Sequence, residues 1–390
     1  MGLDRLNSGW KTVWFSQWEP GKSKQWAHEC YEKHYGPSAD LDGNINTSGE
    51  DIGEMKKDKI PDHNLLVGGF PCQDYSVAHT LSTSKGIEGK KGVLWWQIRD
   101  TLIAKKTPFC IFENVDRLLK SPASQRGRDF GVILACLNDL DYIVEWRVVN
   151  AALYGAAQRR RRIFIFAYKN DTNYGKEMSE VEATEIIHNK GLMAKAFPIK
   201  QIGQLVKTNI SEDILDVSDH FKFSFENAGF MRNGLIYTTS IIEQEEPPTL
   251  LGQILQFNAD EKYYITTEKM SKWTYLKGAK KIPRKSTNGH EYIFSEGPIA
   301  FPDPWNRPSR TMLTSESTLN RSTHVVSDPG TGRLRLLTPI EAERLQGFDD
   351  DWTNSGMPDR MRYFCMGNAL VVPMITRMGK VLDEIIQKED

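Results

Sequence analysis

The chain has 390 residues, enough for two domains, and its 39% hydrophobic and 26% charged residues are typical of a folded globular protein. Its 50 basic and 51 acidic side chains almost cancel, so only a local basic patch could indicate a nucleic-acid partner. The longest apolar runs, such as residues 162–167, are too short to cross a bilayer, and no signal-peptide pattern opens the sequence, which argues against membrane insertion and secretion.

The first 170 residues alternate between short apolar stretches and helix-like ones. The predicted strands cover residues 12–16, 65–69, 109–112, 142–149 and 163–168. The predicted helices cover residues 21–35, 93–102 and 132–140. Alternation at this spacing predicts an α/β fold with a mostly parallel sheet covered by helices. In such sheets, functional side chains collect at the carboxyl ends of the strands.

The pattern changes near residue 170, where the chain becomes a mixture of charge, turn residues and short aromatic stretches. Helical order returns after Arg333, with predicted helices over residues 339–345 and about 368–387. A last helix so far from the sheet predicts that the middle domain is an insertion. We therefore expect four parts, over residues 1–172, 173–330, 331–365 and 366–390, of which the second is the inserted domain, the third a return segment and the fourth a closing helix.

One cysteine is a candidate nucleophile. Cys72 lies in the turn Gly68-Gly69-Phe70-Pro71-Cys72-Gln73, directly after a predicted strand, where a thiol can be exposed to substrate. A small buried thiol is the alternative. The five cysteines are odd in number and include no CxxC pair, which argues against a disulfide framework and a zinc site and favours a reducing cytosol.

Two further segments accompany this turn. Phe112-Glu113-Asn114-Val115 ends the next predicted parallel strand, which places a carboxylate at the same edge of the sheet as Cys72. Gln158-Arg159-Arg160-Arg161-Arg162 leads into another strand. Taken alone, an arginine run is usually a solvated surface and the tripeptide carries little information.

In this order and at these spacings, the three segments resemble the Pro-Cys-Gln, Glu-Asn-Val and Gln-x-Arg-x-Arg motifs of the C5-cytosine DNA methyltransferases. Residues 92–98, 337–348 and 367–373 resemble three further motifs of that family. The resemblance implies a Rossmann-like, S-adenosylmethionine-dependent methyltransferase sheet with an inserted, irregular, mostly-β target-recognition domain.

The resemblance also implies catalytic roles. Cys72 would add as a thiolate to carbon 6 of cytosine, which makes carbon 5 nucleophilic towards a methyl sulfonium. Glu113 would hydrogen-bond or protonate ring nitrogen 3, and Arg160 and Arg162 would hold the base carbonyl oxygen and a nearby phosphate. The target base must be flipped out of the duplex to reach such a pocket.

Residues 73–91 follow the nucleophile and suit a mobile loop that closes over the flipped base, with Gln73 and Ser76 as expected DNA contacts. A second group of DNA contacts is expected in the basic segment 269–285, which holds seven basic residues and no acidic one, with two aromatic residues between them. A solvated basic surface is the alternative. The expected contacts there are Lys280, Lys281, Arg284 and Lys285.

The cofactor implied by the resemblance is S-adenosyl-L-methionine, with no metal. Glu19 matches the family's ribose ligand, and Asp51 with Ile52 matches the segment that holds the adenine amino group. Phe70, Leu94, Asn368 and Val371 are the other expected cofactor contacts. The family's Phe-x-Gly-x-Gly turn has no counterpart, and residues 1–6 resemble the helix that follows it. We therefore expect a chain that begins one strand late and binds cofactor weakly.

The expected function is that of a bacterial or phage DNA cytosine-5 methyltransferase in a restriction–modification system. An RNA-methylating relative and a DNA-binding pseudoenzyme without cofactor binding are the alternatives. The expected partner is double-stranded DNA, with a cognate restriction endonuclease that does not bind stably. We expect a monomer without membrane association, in the cytoplasm of a bacterial cell or a phage-infected host.

Overall fold

The computed structural model describes residues 1–37, 51–70, 93–286 and 289–389. Cys72, Gln73 and Ser76 therefore lie outside the described residues. The chain forms two compact units, the first from residues 1–150, 161–245 and 374–390 and the second from residues 151–160 and 246–373. The four-part functional division given above stays a prediction. In the described part of the chain, no helix is long and apolar enough to span a membrane.

All named strands of the first unit come before those of the second in the chain. Residues 151–160, which belong to the second unit, contain no named strand. In chain order they are β1 (Leu65–Gly69), β2 (Phe109–Asn114), β3 (Tyr142–Asn150), β4 (Arg161–Lys169), β5 (Ile199–Ile202), β6 (Val206–Asn209), β7 (Ala228–Arg232), β8 (Leu235–Thr239) and β9 (Ile241–Glu243). The second unit contains β10 (Lys280–Lys285), β11 (Glu291–Glu296), β12 (Val325–Ser327) and β13 (Leu334–Leu336).

Most of the helices are short. They are α1 (Trp26–Tyr35), α2 (Val93–Lys105), α3 (Arg128–Asp139), α4 (Asn173–Ser179), α5 (Ala183–Glu185), α6 (Leu192–Ala196), α7 (Ile214–His220), α8 (Leu251–Ile254), α9 (Thr267–Lys277), α10 (Pro339–Gln346), α11 (Asp359–Asn368) and α12 (Val372–Ile386). The sequence placed α2, α3 and α10 within a few residues of these bounds. It missed α11, and it started α12 four residues too early.

The main sheet of the first unit has the strand order β1-β2-β4-β3-β7-β8-β6. β1 and β2 are parallel, whereas every other neighbouring pair in this sheet is antiparallel. The expectation of a mostly parallel sheet is therefore wrong for the described strands. Short connections such as the two residues between β7 and β8 join antiparallel strands, because a parallel pair needs a long crossover.

The predicted strand over residues 12–16 is also wrong, since the described part of the chain has no strand at these positions. One apolar side chain of this stretch, Phe15, packs against helix α1. The ring of Phe15 stacks on His28 of α1 at a centroid distance of 4.9 Å and packs at a tilt against Tyr31 at 4.2 Å. Packing on α1 thus accounts for the apolar side chain of Phe15.

The N-terminal segment is tied to the last helix of the chain. Asp383 of α12 accepts hydrogen bonds from Ser8 Oγ and Trp10 Nε1, both at 2.6 Å. Gly379 faces the side chains of Leu3 and Leu6, whose methyl groups would lie 2.5 and 2.8 Å from a Cβ at that position. The first unit is therefore closed by contacts between its two most distant segments.

The second unit is organised around a buried arginine. Arg335 is inaccessible to solvent and donates to Asp328 at 2.8 Å and to both oxygens of Glu341, at 2.7 and 2.8 Å. Glu341 also accepts from the backbone N–H of Thr338, whose hydroxyl caps the start of α10 in return. Burial alone raises the pKa of Asp328, but hydrogen bonds from Arg335 and from backbone N–H groups outweigh it and hold the pKa well below its usual value.

We expect Arg335→Met to destabilise the second unit by about 3–5 kcal/mol, because it leaves two buried carboxylates without their cation. Denaturant unfolding monitored by intrinsic fluorescence measures the loss. The matched control is Arg333→Met, which removes an exposed arginine paired with Glu261 at 2.6 Å and should change stability little. Equal losses of stability from the two substitutions would contradict the stabilising role of the buried Arg335.

Candidate active site

The parallel pairing of β1 and β2 builds the edge at which the site is expected. Gly69, the last residue of β1, lies opposite Glu113 near the end of β2. A Cβ at Gly69 would lie 3.5 Å from Glu113 Oε2, so a larger side chain there would crowd the carboxylate. The glycine therefore leaves space beside Glu113 at the carboxyl end of the strand pair.

Asn114 fastens the two strand ends together. Its Nδ2 donates to the carbonyl oxygen of Phe70 at 2.8 Å, and its Oδ1 accepts from the backbone N–H of Val115 at 2.8 Å. The side chain is buried, so both bonds are shielded from water. Phe70 precedes Cys72 by two residues, and the bond therefore fixes where the nucleophile segment leaves β1. Sequence analysis had assigned no role to Asn114.

Glu113 is paired with an arginine. Arg162 Nε lies 2.7 Å from Glu113 Oε1, and the two side chains are 18% and 16% exposed. β4, which carries Arg162, runs antiparallel to β2 with Asn114 opposite Ile163, so the two charged groups project from adjacent strands near this edge. The expected catalytic acid and one of the two expected arginines are therefore brought together.

Arg160 is placed differently. It belongs to the second unit, is buried, and donates to the carbonyl oxygens of Met312 at 3.2 Å and Gly367 at 2.9 Å. Gln158 makes a similar bridge, because its Oε1 accepts from the backbone N–H of Met312 at 2.7 Å. These side chains hold three separate segments of the second unit together. The expected contact of Arg160 with substrate stays a prediction.

The two acids expected to bind cofactor have their backbones fixed. The side chain of Gln25 donates to the carbonyl oxygen of Glu19 at 3.1 Å and accepts from its N–H at 2.8 Å. Asp51 Oδ1 accepts from the N–H of Gly53 at 2.8 Å, and Lys57 donates to the carbonyl oxygen of Ile52. Within the described residues, the Glu19 carboxylate and Asp51 Oδ2 have no hydrogen-bond partner, so each can accept from a ligand.

The other expected cofactor contacts are in varied environments. Phe70 is buried against Trp95 at a ring-centroid distance of 5.3 Å, and Leu94 packs on the same core. In the second unit, Val371 is buried, whereas Asn368 is the exposed last residue of α11. Their roles stay predictions. Among the described residues, no group of three or more His, Cys, Asp or Glu side chains could hold a metal ion.

The sequence of the basic segment 269–285, with its glycine at 278, predicts a loop, but the segment forms helix α9 followed by strand β10, so that prediction is wrong. The lysines of this segment lie in different environments, since some are buried or paired and others are exposed. Lys277 is 2% exposed and donates to the carbonyl oxygens of Arg321 and Thr323, and burial lowers its pKa to about 8. Lys280 lies 3.3 Å from Glu296, whereas Lys281 and Lys285 are exposed on β10.

Comparison with known proteins identifies a family. The family described as C-5 cytosine-specific DNA methylase matches residues 1–384. The type II methyltransferase M.Sau3AI of Staphylococcus aureus is 49% identical over an alignment that covers 99% of this chain and 92% of that protein. The Dnmt2 methyltransferase of S. pombe is 13% identical, with a TM-score of 0.57 and coverage of 99% of this chain and 94% of that one, and it supports the fold alone.

We expect Asn114→Ala to lower the free energy of unfolding by about 1–3 kcal/mol, because it removes the bond of a buried side chain to the carbonyl oxygen of Phe70 and its bond from the backbone N–H of Val115. Thermal or denaturant unfolding gives the value. Asn189→Ala is the control, since it removes one exposed hydrogen bond to Glu185 at 3.2 Å and should change stability by less than 0.5 kcal/mol, roughly. No difference between the variants would show that the Asn114 bridge is dispensable.

Proposed function

The chain belongs to the C-5 cytosine-specific DNA methylases and is a DNA (cytosine-5-)-methyltransferase, and from this premise we propose how its own residues carry the reaction. The observation that carries the proposal is the paired end of β1 and β2. There Glu113 is held by Arg162, and Asn114 holds the backbone two residues before Cys72. The nucleophile and the acid are thus attached to two neighbouring strands of one sheet.

Cys72 supplies the covalent step. Its thiolate adds to carbon 6 of the flipped cytosine, and the electrons of the 5,6 double bond become available at carbon 5. After carbon 5 has taken the methyl group, it loses its proton and the thiolate leaves, which restores the aromatic ring. Splitting the reaction in this way avoids a direct attack by the weakly nucleophilic carbon 5.

Glu113 stabilises the charge that the addition creates. Negative charge develops on the ring towards nitrogen 3 as the thiolate adds, and a carboxylic group directed there can bind or protonate that atom. Arg162 orients the Glu113 carboxylate and holds the carbonyl oxygen of the base with a charge-assisted bond. Arg160, which the family motif assigns to the base carbonyl oxygen or a nearby phosphate, also fixes the segments at Met312 and Gly367.

The methyl donor of this family is S-adenosyl-L-methionine, which supplies an electrophilic methyl group when bound. The available carboxylate of Glu19 suits the two ribose hydroxyls, and the available Oδ2 of Asp51 suits the adenine amino group. The fixed backbones of Glu19 and Asp51 keep both acceptors in place before the cofactor arrives. Ile52, Phe70 and Leu94 of the first unit, and Asn368 and Val371 of the second unit, are the further cofactor contacts that we propose.

The biological role that we propose is protection of DNA in a restriction–modification system. The protein would act in the cytoplasm of a bacterial cell or of a phage-infected host. The type II designation of the Staphylococcus aureus relative supports this role. A cognate endonuclease would cut the same sequence when it is unmethylated, and the two enzymes need share only that sequence rather than a binding surface. The protein would then act on its DNA as a monomer.

Duplex DNA that carries 5-fluorocytosine at the target position should form a stable covalent adduct with the enzyme in the presence of S-adenosyl-L-methionine. The fluorine cannot leave as a proton, so elimination of Cys72 stalls. Cys72→Ala should abolish the adduct in denaturing gel electrophoresis. Cys365→Ala, which removes another cysteine that is not fully buried, should retain it. A stable adduct of Cys72→Ala would exclude this cysteine as the nucleophile.

Binding to DNA should depend on Lys281 and Lys285, because both are exposed, and less on Lys280, which is paired with Glu296. Replacement of Lys281 and Lys285 by alanine should flatten the slope of log affinity against log salt by about one unit per lost phosphate contact. Fluorescence anisotropy over a salt series measures the slope. Lys280→Ala is the control, and a larger change in that variant would reverse the assignment.

A further inference from the structure

The ribbon formed by β10 and β11 has two chemically different faces. The strands pair antiparallel in continuous register, and successive side chains of a strand point to opposite sides. One face, here called the outer face, consists of three cross-strand pairs, Lys281 with Ser295, Pro283 with Ile293, and Lys285 with Glu291. All six of these residues are exposed. The opposite, inner face carries Lys280, Glu296 and Phe294, which are partly buried.

The inner face anchors the ribbon. Glu296 contacts Lys280 at 3.3 Å and Arg321 at 3.6 Å, and Arg321 also donates to the carbonyl oxygen of Leu276 at 3.0 Å. Farther out, the guanidinium of Arg284 lies 3.9 Å from the ring centroid of Phe294. A two-stranded ribbon is only marginally stable alone, so these contacts hold the outer face in a defined orientation.

The outer face has the chemistry of a surface that binds something anionic. Within the described residues, Lys281 and Lys285 have neither an ion-pair nor a hydrogen-bond partner. Ile293 lies between these two cations, beside Pro283, and is 65% exposed. DNA offers a matching surface in its major groove, where phosphates line both walls and the methyl group of thymine is an apolar contact on the floor.

We propose that the outer face of the β10–β11 ribbon enters the major groove of the target duplex and determines which sequence is methylated. Ile293 and Pro283 contact a thymine methyl group, and Lys281 and Lys285 contact the flanking phosphates. The dimensions agree, because two strands lie about 4.8 Å apart and a major groove about 12 Å wide admits a two-stranded ribbon. This proposal rests on the proposed function, because it names the part of the methyltransferase that selects the DNA sequence.

The test uses a library of duplexes with randomised positions around a cytosine. The wild-type enzyme methylates the library, and sequencing after cytosine conversion gives its preference at every position. Ile293→Ala should reduce the preference for thymine over the other bases at one position by roughly 4-fold or more, the cost of losing contact with one methyl group. Ile242→Ala is the matched control, because Ile242 is 53% exposed on the separate strand β9.

A second substrate set locates the contact in the groove. Replacing the same thymine with uracil removes only the major-groove methyl group, so the wild type should lose roughly 4-fold in binding and Ile293→Ala should lose nothing further. An unchanged preference of Ile293→Ala, or equal losses from uracil in both proteins, would overturn the proposal. A shift of Ile293→Ala in oligomeric state with unchanged preference would assign the face to a protein contact instead.

Failure of the proposed function gives a different result. A wild type that methylates no member of the library refutes the function itself. In that case the same library, recovered from complexes with the wild type and with Ile293→Ala, still reports whether the ribbon selects sequence. Identical recovered sequences from the two proteins would overturn the assignment of the ribbon independently of turnover.

Discussion

The arrangement of the candidate active site depends on one parallel pairing, that of β1 with β2. Among the described strands, which otherwise pair antiparallel in this sheet, only this pair brings the carboxyl ends of two consecutive strands to the same edge. Gly69 leaves space beside Glu113, and Asn114 bonds the backbone that leads to Cys72. If either strand were reversed, the acid and the start of the nucleophile segment would lie at opposite ends of the sheet. The antiparallel neighbour β4 carries Arg162, which forms an ion pair with Glu113.

Several buried cations of this chain hold parts of the fold together. Arg160 and Lys277 donate to backbone carbonyl oxygens, and Arg335 neutralises two buried carboxylates. A buried cation is tolerated only where such acceptors surround it, so each of these side chains fixes the segments that it joins. The charges left on the surface of β10 are fewer than the sequence implies. They are also more regularly arranged, because the strand pairing sorts them by face.

The sequence could predict what local pattern determines. The strands β2, β3 and β4 and the helix α10 fall close to their predicted places, because neighbouring residues specify them. Strand direction was mispredicted, since pairing depends on contacts far apart in the chain. The stretch 12–16 is apolar like a strand, but its Phe15 packs on helix α1, and an apolar run alone does not distinguish the two uses. The Asn114 bridge and the burial of Arg160 have no sequence signal, because each depends on a distant carbonyl group.

The bonds from Ser8 and Trp10 to Asp383 have a consequence for biosynthesis. A ribosome that adds about 5–20 residues per second needs roughly 20–75 s to make the intervening chain. Until Asp383 emerges, the apolar side chains of Leu3 and Leu6 lack the helix that covers them. The chain also leaves the first unit at residue 246 and returns only at residue 374. Completion of the first unit during translation is therefore a late event, and its early segments are those most exposed to chaperones and proteases.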